Sequence, residues 1–211
     1  MKTFILILEI IGTVAFAVSG AMVGVKKKMD IFGVITLGVI TAVGGGVIRD
    51  LVLGQTPPNV FFHPVYAITA IISSIIMFLS FTRRLLFKKP HFYDVSMLIL
   101  DSVGLGIFTV VGIQTAVAVN PDYPTLLLIF VGMITGVGGG VMRDILACEM
   151  PSILCKKIYA CASLAGAVIC ILLIDLTGVS VAMAIGAITV VMIRFLAAKL
   201  HWSLPKATSI Q

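Results

Sequence analysis

The sequence predicts an all-α membrane protein of seven transmembrane helices, arranged as two inverted three-helix repeats followed by a seventh helix. Three observations predict it. The 211 residues are 60% apolar and 11% charged, with a mean hydropathy of +1.18, far from the ~25% charged residues of a soluble domain. The apolar residues are gathered into seven runs of the length that crosses a bilayer, ~20 residues for a helix. A glycine-rich stretch also occurs twice: residues 38–50, GVITAVGGGVIRD, and 132–144, GMITGVGGGVMRD, identical at ten of thirteen positions.

The runs lie near residues 3–25, 31–53, 65–81, 93–118, 125–147, 158–174 and 179–198. The first follows Lys2 and contains Ala15-Phe16-Ala17, the pattern of a cleaved leader. Glu9 inside the run and its match to the fourth run mark it instead as part of a repeated unit. Glu9, Gly12, Phe16, Val18 and Gly20 correspond to Asp101, Gly104, Phe108, Val110 and Gly112 at an offset of 92. The second and fifth runs carry the glycine triplets, at an offset of 94. The third and sixth begin with Tyr66-Ala67 and Tyr159-Ala160, at an offset of 93, and Pro57 matches Pro151. Residues 1–211 thus form a single membrane domain: a first three-helix repeat (1–90), a second (91–176), and a seventh helix with a tail (177–211). Seven spans leave too few residues for a folded domain outside the bilayer, which excludes most nucleic-acid readers and most enzymes built around a soluble site.

An odd number of spans per unit makes the second copy enter the membrane from the opposite face, a plan whose functional sites lie where the two copies meet. The basic residues give the orientation. Lys26, Lys27, Lys28, Arg83, Arg84, Lys88, Lys89, Lys156, Lys157, Lys199 and Lys206 fall on one side, eleven of the fifteen Lys and Arg, and Lys2 alone on the other. The positive-inside rule therefore places the amino terminus outside and the carboxyl terminus in the cytoplasm.

The candidate pathway residues follow from the doubled motif. Gly44, Gly45 and Gly46, and Gly138, Gly139 and Gly140, weaken their helices by ~1 kcal/mol each relative to alanine. A bend or an unwound turn is expected at each triplet. Freed carbonyls are tolerated in hydrocarbon only against protein or a watery cavity, where they can replace part of a cation's hydration shell; Thr41 and Thr135 add hydroxyls. The bland alternative is that the glycines let helices pack closely. Three residues on, Arg49 and Arg143 need counter-charges within the membrane. Matching depths pair Glu9 with Arg49 and Asp101 with Arg143. Asp50 and Asp144, adjacent to the arginines, are expected to face elsewhere and to line vestibules or cap neighbouring helix ends. These six charges either fix packing or flank the pathway and gate it.

Other signals are quiet. His63, His91 and His201 show no metal-ligand spacing, no nucleophile stands beside a base, and Cys148, Cys155, Cys161 and Cys170 lack a C-x-x-C pattern. No cofactor or enzymatic activity is expected. Asp94, Asp175 and Arg194 read as anchors at span ends.

The doubled GGGVxRD pattern, residues 44–50 and 138–144, together with the three-plus-three-plus-one plan, resembles the prokaryotic branch of the trimeric intracellular cation (TRIC) channels. That branch overlaps the bacterial family labelled glycine transporter. The resemblance spans essentially the whole chain. It implies a homotrimer in the inner cell membrane, an hourglass pore in each protomer, spans two and five kinked at Gly44–Gly46 and Gly138–Gly140, and passage of monovalent cations, potassium above all and also sodium. The Lys-Glu-Val motif of the animal members is missing here, so their voltage and calcium behaviour is not expected. Two functions remain in view: a potassium-permeable channel, or a carrier of glycine or another small neutral solute that holds a carboxylate at broken helix ends.

Overall fold

The computed structural model describes residues 2–79, 90–155 and 158–202. All regular structure among them is helical: α1 (Lys2–Lys26), α2 (Ile31–Val52), a 3-10 turn (Asn59–Phe61), α3 (Val65–Phe78), α4 (Pro90–Val119), α5 (Thr125–Leu146), the short α6 (Ser152–Cys155), α7 (Tyr159–Thr177) and α8 (Val179–Lys199). Six of these, α1, α2, α4, α5, α7 and α8, are long and apolar enough to cross a membrane. The expected third span is shorter. Its 14 described residues rise ~21 Å against a hydrocarbon core of ~30 Å, and its expected end at 81 lies outside the described residues.

Local chemistry sets the helix ends. Asp30 starts α2 by accepting a hydrogen bond from Gly33 N at 2.7 Å, satisfying one of the orphan amides of a first turn. Gly178, at φ +81°, ends α7 and begins α8, a turn that L side chains resist. The ends of α2 and α5 match. Leu53 N bonds to Arg49 O and Ala147 N to Arg143 O, each at 2.9 Å; Gln55 N and Glu149 N then reach Asp50 O and Asp144 O, each at 2.8 Å.

The centre of the molecule is the crossing of α2 and α5. A Cβ on Gly45 would overlap the carbonyl oxygen of Thr135, and a Cβ on Gly139 would overlap that of Thr41. Only glycine allows this reciprocal backbone contact. The expected unwound turn is therefore not formed: both helices run without interruption through their triplets. The helix-weakening effect of glycine is offset by the close approach it permits, and each carbonyl keeps its helical partner where no water could replace it.

Around this crossing, α1 packs on α2 and α3, α4 on α5, and α8 on α7 and α4. The rings of Phe16 and Phe108, 5.3 Å apart, join α1 to α4. A larger apolar core is built by Val110, Val111 and Ile113 of α4, Cys170 of α7, and Met183 of α8. Outward faces are apolar as well, with Leu126 78% and Leu176 79% exposed, as lipid contact requires.

Candidate functional site

On one side of the crossing the last turn of α2 presents Arg49 to a cavity of about 290 Å³. Glu9 and Thr13 of α1, Gly46 of α2, His63, and Tyr66 of α3 line it with Arg49. The expected Glu9–Arg49 pair is not formed. Arg49 instead folds back onto its neighbour, with Nε 2.8 Å and Nη2 2.7 Å from Asp50 Oδ1. The other oxygen of Asp50 accepts from Asn59 N at 2.8 Å, at the start of the 3-10 turn. Glu9 accepts a short hydrogen bond from Tyr66 Oη.

On the other side the equivalent groups are sealed. Arg143 is fully buried. Its Nη1 donates to Asp101 Oδ1 and to Ser19 Oγ, each at 2.8 Å, so the anticipated Asp101–Arg143 pair is present. Its Nε lies 2.9 Å and its Nη2 2.8 Å from Asp144 Oδ1, and Asp144 Oδ2 accepts from Ser152 N at 2.7 Å. The adjacent Asp thus binds its arginine in both halves, against the expectation that neighbours point apart. The guanidinium stem is long enough to turn back along the helix end, where the chain leaves the helix and no following turn blocks it. The same carboxylates also hold the start of the next short helical segment, which a helix-end cap was expected to do.

Arg194 of α8 is a second correction. It is not an anchor reaching for headgroups: it is 5% exposed, with Nη2 3.8 Å from Asp101 Oδ2 and its guanidinium 4.7 Å from the Tyr159 ring centroid. Asp94 and Asp175 are exposed.

The glycines and threonines divide. Gly45 and Gly139 lie in the crossing; a Cβ on Gly44 would meet Met142 Sδ at 2.6 Å, and one on Gly138 would meet Gly45 Cα at 3.2 Å. Gly46 borders the cavity, and a Cβ on Gly140 would stand 3.7 Å from Arg143 Nη2 and 3.9 Å from Asp101 Oδ1. Thr41 and Thr135 are buried and donate back to Leu37 O and Val131 O, each at 2.6 Å. Thr13 and Thr115 line the cavity instead. Sequence reasoning also passed over Tyr66, Tyr159 and Ser19. The two tyrosines stood out as matched positions, and a hydroxyl at the depth of a buried acid was the signal to follow.

These features define a polytopic α-helical membrane protein with two related charged sites flanking a glycine crossing. Residues 6–82 and 98–175 match the family model described as glycine transporter. The chain is 40% identical over 162 residues to a UPF0126 membrane protein of Deinococcus radiodurans, covering 76% of this chain and 72% of that protein. It is 40% identical over 163 residues to the UPF0126 inner membrane protein YadS of Escherichia coli K12, covering 77% and 75%. Among solved structures it is similar to the TRIC orthologue of Rhodobacter sphaeroides, with 33% identity, TM-score 0.85 and coverage of 94% and 99%. It is also similar to a prokaryotic TRIC channel crystallised in 0.5 M KCl, with 31% identity, TM-score 0.87 and coverage of 97% and 100%. The chain belongs to the TRIC family, in the branch that the glycine transporter model describes.

Proposed function

We propose that this protein is a channel for monovalent cations, potassium above all, with a pathway through each protomer and a closed conformation in this structure. The observation that carries the reading is the acid-bearing polar cavity beside the crossing of the two glycine-triplet helices. An open space lined by a carboxylate at membrane depth is costly in a helix bundle that only packs. The similarity to solved TRIC cation channels supports it.

In this reading the chain is two inverted three-helix repeats plus α8, with α3 as the third span, and the pathway crosses the membrane where the two repeats meet. Gly46 faces the vestibule formed by the cavity, and Gly140 holds the matched position beside the sealed Arg143. Gly44, Gly45, Gly138 and Gly139 set the crossing that closes the pathway, and separation of α2 from α5 would expose the carbonyls of Thr41 and Thr135. Arg49 with Asp50 and Glu9, and Arg143 with Asp144 and Asp101, are the charges at the two mouths. The basic segments place the amino terminus outside and the carboxyl terminus in the cytoplasm of the inner membrane. The protomers assemble as homotrimers, for which the mass of the detergent-solubilised complex is the check.

A second reading, a carrier of glycine, is favoured by one feature: Arg49 and Glu9 border the same cavity and could hold a carboxylate and an ammonium. The two separate in planar bilayers with unequal KCl and NaCl. The channel gives discrete current steps and a reversal potential set by the cations. Saturable uptake of labelled glycine into proteoliposomes without unitary currents would overturn it.

A further inference from the structure

The two charged sites carry matched side chains in different balance: Glu9, Arg49, Asp50 and Tyr66 at the first, and Asp101, Arg143, Asp144 and Tyr159 with Arg194 added at the second. Arg143 and Arg194 offset Asp101 and Asp144, with Arg194 over the Tyr159 ring and Nη2 3.8 Å from Asp101. At the matched site Arg49 is engaged by Asp50. Glu9 receives only the Tyr66 hydroxyl, and among the described residues no basic side chain forms an ion pair with it. One negative charge is left over. Where Arg194 stands beside Asp101, the first site has the cavity.

The geometry points to a monovalent-cation binding site in this cavity, with Glu9 as its charge-bearing ligand and the bound ion in the role that the Arg194 guanidinium fills at the second site. A carboxylate at membrane depth is costly unless paired or protonated, and a cation beside it removes that cost. Tyr66 donates to one carboxylate oxygen and so leaves the other free to bind an ion. Tyr66 also lines the same space. A space of about 290 Å³ admits the ion with several waters, since ~10–15 Å³ on this measure accepts one. Selection at this site is by charge: anions meet a net negative wall, and dehydration is left to the crossing beyond. The inference deepens the channel reading, on which it rests only for the ion's onward path.

The test is thermal unfolding of the purified protein in KCl against N-methyl-D-glucamine chloride at equal ionic strength and pH 8, paired with conductance of the same proteins in planar bilayers. Binding to the folded state raises the melting temperature with K⁺ by mass action. The rise is expected in the unaltered protein and in Glu9→Asp, and is lost in Glu9→Gln. Conductance of Glu9→Gln should fall roughly tenfold at low salt, the scale of electrostatic concentration of counter-ions at a cleft, and approach the unaltered value at high salt. A K⁺-dependent rise that persists in Glu9→Gln overturns the site, as does no rise in the unaltered protein. Currents that are normal in Glu9→Gln at low salt, together with either result, sink the site and leave the channel standing. A Glu9-dependent rise in a protein that passes no unitary currents keeps the site and removes the channel.

Discussion

Arg143 shows how one residue can be held almost wholly by charge. It is enclosed by Asp101, Asp144 and Ser19 within 2.9 Å, so its removal takes the nearest cation from two buried carboxylates. Breaking a buried pair from one side costs ~3–5 kcal/mol. Arg143→Gln should therefore destabilise the protein by about that amount in thermal or denaturant unfolding, and adding Asp101→Asn should recover part of the loss, because the two residues share one network. If the double variant loses the sum of the single losses, the network account is wrong. Arg49→Gln should cost less, because Arg49 borders an open polar cavity and contacts Asp50 alone among the carboxylates. The Arg143–Asp101 pair could be read from matched depth, but the same argument failed for Glu9 and Arg49, because Arg49 turns back to its neighbour Asp50. Arg194 could not be read this way: it lies near the end of the last span, has no matched copy, and its burial depends on how α8 leans on α4.

At the scale of elements the decisive feature is the α2–α5 crossing. A methyl at Gly45 or Gly139 collides with a backbone carbonyl, which cannot rotate away, whereas at Gly46 the nearest atom to a new Cβ is Arg49 Nη2 at 3.8 Å. Gly45→Ala and Gly139→Ala should each lower stability by at least the ~1–3 kcal/mol of overpacking; Gly46→Ala should leave it unchanged or improve it through better helix propensity. Equal effects at Gly45 and Gly46 would show that the triplet acts through helix flexibility. The doubled triplet told the sequence reader where two helices matter. It misled on how, because propensity is a local quantity and the compensation comes from a partner helix 94 residues away. The early end of α3 was equally hidden, since the apolar run continues past the last described helical residue, Phe78.

For the whole molecule the open physical question is which face the cavity serves. Lys27 follows α1 and Glu149 follows α5, and their side chains pair at 3.1 Å, so these two joints share one face of the bundle. The cavity lies at the far end of α2, beside Arg49, and therefore toward the opposite face. Under the proposed orientation the lysine-rich joints lie in the cytoplasm, which would turn the cavity with Glu9 outward and the sealed Arg143 cluster inward. Cys148 is exposed and lies next to Glu149, so it can report the orientation directly. In a variant that keeps Cys148 and replaces Cys155, Cys161 and Cys170 by serine, a membrane-impermeant maleimide should label inside-out vesicles and spare intact cells. With all four cysteines replaced, Asp122→Cys, in the joint between α4 and α5, should give the reverse. Labelling of Cys148 from outside intact cells would invert the assignment. Glu9 would then act on ions leaving the cytoplasm, and the low-salt loss in Glu9→Gln would follow salt on that side of the bilayer.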